Sequence, residues 1–221
     1  MKVLVAVDGS AFSRMAVEAL GVLNSHPPEV VSLIHVIESQ PLKVLSGTRP
    51  AHGKRALAAM EKAGTALLRD MEKVAQMALP QAVTGPHTKI QQKLLHGPLA
   101  ATIVRQATLQ RADLVILGTR GLSDAPGFLL GSVSRKVAGS CGRACLVVKQ
   151  PLHALKQVVL AVDGSKFSRS AALFLRDRLL PEEATVTILS VAEPVVTELA
   201  ANLLSARDLQ QLGQPALEQA Q

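Results

Sequence analysis

The chain predicts an α/β fold: an open, doubly wound parallel sheet of five strands in the order 3-2-1-4-5, followed by a partial repeat of the same unit. Three observations lead there. Of 221 residues, 48% are apolar and only 2% aromatic, with no Trp, no Tyr and four Phe. A core of Val, Leu, Ile and Ala suits a buried parallel sheet under Ala/Leu-rich helices. Runs rich in β-branched residues and leucine alternate with stretches of helical periodicity, the pattern of βαβ units. Finally, the opening segment from Val3 to Leu20 returns from Val158 to Leu175 at an offset of 155, with Val-Asp-Gly-Ser-x-Phe-Ser-Arg identical in both copies. Two copies of one unit are therefore present.

The first copy is complete. Strands are expected at about 2–8, 29–37, 88–96, 113–118 and 144–149, with helices at about 11–25, 51–78, 98–110 and 131–141. Ser10 or Ser13 can cap the first helix, and Pro98 stands where a later helix makes its first turn. Pro27-Pro28 and Pro80 stop the helices before them. Right-handed crossovers between parallel strands make this arrangement Rossmann-like.

The second copy is incomplete. Residues 1–149 form the complete domain, 150–156 a linker, and 157–221 a partial domain with a strand near 157–162, a helix near 166–179 and a strand near 184–192. A further helical stretch runs from about Val196 to Leu209. By the offset, Gln221 corresponds to Ala66, so the second copy has no counterpart of residues 83–149 and no second glycine loop. A fragment with open strand edges buries little apolar surface alone. It is expected to dock on the first domain or to pair with another chain.

Chemistry concentrates behind the fourth strand. Leu114-Val115-Ile116-Leu117 runs into Gly118-Thr119-Arg120-Gly121, and Gly131-Ser132-Val133-Ser134 opens the next helix, giving Gly118-x2-Gly121-x9-Gly131-Ser132. Glycines let backbone N–H groups approach an anion, and a helix start adds unpaired donors and positive dipole. Val7-Asp8-Gly9-Ser10 ends the first strand. With the order 3-2-1-4-5 the reversal lies between strands 1 and 4, so Asp8 and the Gly118 loop face one crevice.

Other classes are disfavoured. A Walker A sequence and a Gly-x-Gly-x-x-Gly fingerprint are both absent, which speaks against P-loop hydrolysis and nicotinamide chemistry. No run approaches the ~18 apolar residues of a membrane span, and Met1-Lys2 leads directly into a strand, so a cytoplasmic protein without membrane association is expected. The formal charge of +7 is spread along the chain with few rings to stack on bases, which points away from specific nucleic-acid binding. Cys141 and Cys145 fit a reducing compartment and read as packing thiols, while His35 and His96 read as hydrogen-bonded structural residues. Helix 54–73 reads as a solvated face. Asp163-Gly164-Ser165 repeats the first motif without a phosphate cradle, so no autonomous site is expected there.

Across residues 1–149 the chain resembles the ATP-binding branch of the universal stress protein family, through Val3 to Ser10, His35-Val36-Ile37, Gly97-Pro98, Leu117-Gly118 and Gly131-Ser132-Val133-Ser134. The resemblance implies an adenine nucleotide α-hydrolase-like fold and a stress-response regulator or sensor that binds ATP, ADP or AMP. It implies adenine contact near Val36 and Leu117, and Asp8 on the ribose-phosphate side, indirectly through Mg or Mn. Phosphate contacts are implied for Gly118, Arg120, Gly121, Gly131, Ser132 and Ser134, and Ala6, Val7, Gly9, Ser10 and Val133 complete the nucleotide-binding set. Where the family commonly has a small residue or His near position 120, this chain has Arg120, whose guanidinium suits phosphate.

No catalytic residue is assigned, because no positioned base is evident. Slow ATP hydrolysis or autophosphorylation on Ser or Thr is the most enzyme chemistry expected. The alternative reading is a protein-interaction module. Ala144 to Lys149 resembles the edge strand that family members use to form homodimers, an edge that internal pairing of the two repeats would otherwise occupy.

Overall fold

In the computed structural model, residues 1–23, 27–38, 50–79, 88–121 and 130–191 are described. The chain divides into two units, Met1–Ala154 and Leu155–Gln221.

The first unit is organised around β1 (Lys2–Ala6), whose Val3, Leu4 and Val5 are fully buried. Burial on both faces is what a central parallel strand requires, and it explains the unbroken apolar run. β2 (Val30–Ile37), β3 (Lys89–His96), β4 (Leu114–Gly118) and β5 (Ala144–Val148) complete a parallel sheet in the order β3-β2-β1-β4-β5. The expected order is therefore observed. β1 pairs with β2 from Lys2↔Val30 through Ala6↔Ile34, but with β4 only from Val3↔Leu114 through Val5↔Ile116. Beyond Val5 the two central strands part, and a crevice opens between them.

Helices cover both faces. α1 (Ala11–Glu18) and the long α2 (Pro50–Ala78) pack on each other, α1 against β4 and α2 against β2 and β3. α3 (Leu99–Leu109) and α4 (Ser132–Ser140) pack together on the opposite face. There Ile103, Ala107, Val137 and Cys141 close over Leu4, Ile34, Val36, Val115 and Leu117 in one buried cluster. Among the described residues no helix is long and apolar enough to cross a membrane.

The first helix departs from the expected 11–25. It is α-helical only to Glu18 and tightens into a 3-10 turn over Ala19–Leu23. Gly21 supplies the reason. A Cβ there would lie 3.2 Å from the carbonyl oxygen of Ala78, so the end of α2 presses against a backbone with no side chain. Glycine also weakens the α-helix that would otherwise continue.

The second unit contains β6 (Gln157–Val162), α5 (Lys166–Arg178) and β7 (Thr185–Ser190), with β6 and β7 parallel. Its pairing runs from Gln157↔Thr185 to Val162↔Ser190, and the five pairs through Ala161↔Leu189 are the β1–β2 register displaced by the same 155 positions in both strands. Ser165 caps α5 by accepting the Ser168 N–H, as Ser10 accepts the Ser13 N–H. Burial separates the copies. Val159, Leu189 and Val191 are exposed, whereas their counterparts Leu4, Ile34 and Val36 lie under α3 and α4. The expected helix from Val196 to Leu209 falls outside the described residues.

Candidate functional site

The turn after β1 builds one side of the crevice. Gly9 takes φ +87, a left-handed conformation that favours glycine, and so reverses the chain between Asp8 and Ser10. The Asp8 carboxylate accepts the Ser10 N–H at 3.0 Å. Ser10 Oγ then accepts the Ser13 N–H at 3.1 Å, and Ser13 Oγ–H donates back to the Ser10 carbonyl at 3.0 Å. These bonds are an Asx turn running into a helix cap, which holds Asp8 at the end of the sheet. His35 Nδ1–H donates to the Val7 carbonyl at 2.8 Å and steadies the same turn from β2.

The loop after β4 builds the other side. Ser134 Oγ–H donates to the Gly118 carbonyl at 2.6 Å, Thr119 N–H to Val148 at 2.9 Å, and Gly131 N–H to Thr119 at 2.6 Å. The first turn of α4 is thus fastened to the tip of β4. Gly118 is confined for a packing reason, since a Cβ would lie 2.7–2.8 Å from the main-chain carbon, oxygen and Cβ of Phe12. A long 3.5 Å bond from Ser10 Oγ to the Arg120 carbonyl ties the two loops together.

Between them lies an open cleft of about 620 Å³, counting its solvent-continuous mouth. Ile34, Val36, Leu99, Ile103, Leu117 and Val133 form its apolar wall, and Asp8, Ser13, Arg120, Gly121 and Ser134 its polar part, with Ala6, Val7 and Gly118 between. Asp8 is the only acid and Arg120 the only cation among the described lining residues.

The sequence brings most of its candidates to this wall. Ala6, Val7, Asp8, Val36, Leu117, Gly118, Arg120, Gly121, Val133 and Ser134 all line it. Gly9 and Ser10 stand behind the wall as turn and cap, Gly131 caps α4, and Ser132 is exposed beside it. The Gly131 amide, a candidate anion donor by its place in the motif, is engaged by Thr119. Residues 122–129, including Asp124, fall outside the described residues. Ser13, which the sequence offers only as a helix cap, and Ile34, Leu99 and Ile103, which the motifs do not mark, also line the cleft. The signals of the three apolar residues are the two-residue spacing of Ile34 and Val36 on β2 and the four-residue spacing of Leu99 and Ile103 on α3.

A model of the Universal stress protein family matches residues 1–149. The chain belongs to the universal stress protein family. A universal stress protein of Methanocaldococcus jannaschii is 30% identical over 153 residues, covering 68% of this chain and 82% of its own. Among solved structures, universal stress protein UspA of Lactobacillus plantarum is similar with a TM-score of 0.54 and 22% identity, over 67% of this chain and 97% of that one. A universal stress protein of Archaeoglobus fulgidus gives 0.64 at 18% identity, over 91% of this chain and 71% of that one. These structures carry the universal stress protein fold onto the first unit, and the last alignment extends beyond it.

Proposed function

We propose that this universal stress protein binds an adenine nucleotide, with ATP the expected form and ADP or AMP the alternatives, and acts in the cytoplasm as a stress-response sensor or regulator. One observation carries the reading. Where β1 and β4 part, a buried aliphatic wall meets one carboxylate and one guanidinium, matching a flat apolar base at one end and a charged phosphate chain at the other. Val36 and Leu117 would flank adenine, Asp8 would face the ribose-phosphate, and Arg120 with the Gly118–Gly121 loop would face the phosphates.

A divalent ion, Mg or Mn, would be held chiefly by the phosphates. Among the described residues no group of three or more His, Cys, Asp or Glu could hold a metal. Mg²⁺ commonly combines one or two carboxylates with substrate phosphates, and Asp8 fits that demand. The nucleotide is held rather than turned over on this reading, because among the described residues the cleft lining offers one acid, Asp8, and no second group to act as a base. Slow hydrolysis or autophosphorylation is the upper bound of the reaction chemistry.

We further propose that residues 157–221 are an incomplete second domain after a linker at 150–156. The matching register of β6 and β7 supports this. The half-buried edge strand β5 is the proposed pairing edge, either between two copies of the chain or between the two repeats. Light scattering over a concentration series separates the two.

The deciding experiment denatures the purified protein without added nucleotide and identifies released small molecules by ion-pair chromatography and mass spectrometry. ATP, ADP or AMP at near one equivalent, lost in a folded Gly118/Gly131 double variant, is the expected result. An empty protein that also fails to bind ATP with magnesium by calorimetry overturns the reading and leaves the protein-interaction alternative.

A further inference from the structure

Phe12 touches both halves of the cleft from outside its wall. Its main-chain carbon and oxygen sit where a Gly118 side chain would begin, so the first turn of α1 rests on the last residue of β4. Its ring lies under the guanidinium of Arg120, 5.8 Å from ring centroid to Cζ. The turn just before Phe12 also reaches Arg120, through the bond from Ser10 Oγ to its carbonyl. The same short segment therefore meets Arg120 at both main chain and side chain.

The second unit shows that this pairing is not a property of the local sequence. Phe167 occupies the same place in an identical motif, yet it is 74% exposed, and the cation over its ring is the adjacent Lys166 at 5.2 Å. In the first unit the ring is half-buried, and its cation comes from the β4 loop, more than a hundred positions away.

Arginine has a long stem with many rotamers, and a guanidinium that stacks well on an aromatic face. A side chain already stacked loses less freedom when it engages an anion. Arg120 is the only cation among the described lining residues, so each phosphate added to a bound nucleotide brings more charge within reach of one group. We infer that Phe12 is a positioning residue for Arg120 and through it sets the preference of the cleft for nucleoside triphosphates over monophosphates. This rests on the nucleotide-binding reading above.

The test measures ATP, AMP and adenosine affinities by calorimetry on the full chain and on Phe12→Leu, Phe12→Tyr, Arg120→Gln and the Phe12→Leu/Arg120→Gln pair, each checked for folding by thermal unfolding. Phe12→Leu weakens ATP roughly three- to fivefold, the range of a partly exposed cation–π contact, and leaves adenosine unchanged. Phe12→Tyr keeps wild-type affinity, because it keeps the ring. The double variant binds ATP no more weakly than Arg120→Gln alone. Equal losses for ATP and adenosine, additive losses in the double variant, or an ATP affinity that Arg120→Gln lowers and Phe12→Leu does not, each overturn the inference while the nucleotide reading stands. A wild-type protein that binds none of the three ligands overturns the nucleotide reading itself.

Discussion

Ser134 gives its hydroxyl proton to the carbonyl oxygen of Gly118 across 2.6 Å, joining the first turn of α4 to the end of β4 in a buried part of the cleft wall. Ser134→Ala is expected to lower stability by about 1–2 kcal/mol, the range for a lost buried hydrogen bond. Urea unfolding with an unchanged slope and a shifted midpoint is the measurement; an unshifted midpoint shows that the bond does not hold α4.

Gly118→Ala places a methyl against the Phe12 backbone and is expected to destabilise the protein by roughly 1–3 kcal/mol through overpacking. Gly139 is the internal control. It lies inside α4, and a Cβ added there would meet nothing within 4 Å, so Gly139→Ala is expected to raise stability by up to about 1 kcal/mol. Thermal unfolding of both variants should move in opposite directions, and a shared direction contradicts the packing account.

Thr119 is 4% exposed, and among the described residues its Oγ1 has no hydrogen-bond partner. A buried polar atom without a partner opposes folding, and valine has nearly the same shape. Thr119→Val is therefore expected to stabilise the ligand-free protein by about 1 kcal/mol. If calorimetry instead finds a less stable protein, the hydroxyl does have a partner in solution.

Burial, and then the nearby Cys141 thiol, push the Cys145 thiol up to about 12 from 9.0. The folded state holds this proton more tightly than the unfolded state. Stability from this group is thus fully present below pH 9.0 and is lost as pH rises toward about 12. Alkylation by iodoacetamide at pH 8 should be far slower for Cys145 than for a free thiol, as mass spectrometry of the intact protein would reveal. Rapid modification at that pH rules out the buried, protonated thiol.

In the second unit the Asp163 carboxyl is held down at about 2, first by the Ser165 side chain and then by the Ser165 N–H. A depressed carboxyl contributes stability above its unfolded value of 3.8, and that contribution disappears as pH falls through about 2. Carbon-detected NMR titration should place the Asp163 midpoint near 2, and Ser165→Ala should raise it toward 3.8. A midpoint that ignores the substitution removes Ser165 as the cause.

Sheet order and most of the cleft wall are legible in the sequence because they follow from local pattern. The apolar run of β1 announces a strand buried on both faces, and the reversal of order beside it fixes where Asp8 and the Gly118 loop meet. What stays hidden depends on distant neighbours. Helical spacing groups Leu99 with Ile103 without saying that this face looks into the cleft. Nothing local in Ser-x-Phe-Ser-Arg distinguishes a half-buried Phe12 from an exposed Phe167, since Phe12 is seated by Gly118, a residue of a distant strand. Gly118 itself reads as room for an anion, whereas its closest constraint is Phe12.

The shared displacement of 155 positions in both strands of each pair means that no residue has been gained or lost between the start of β1 and the end of Val191 relative to Val36. Strand length, capping and pairing agree, but the helices do not: α5 stays α-helical where the first unit tightens after Glu18, and Arg176 stands at the place of Gly21. A chimera carrying Gln157–Ser190 in place of Lys2–His35 would bring its strands to the first sheet in register, while setting Arg176 against the Ala78 carbonyl that Gly21 now admits. The exposed Val159 and Leu189 would then lie beneath a roof of α3 and α4, in the seats that Leu4 and Ile34 fill.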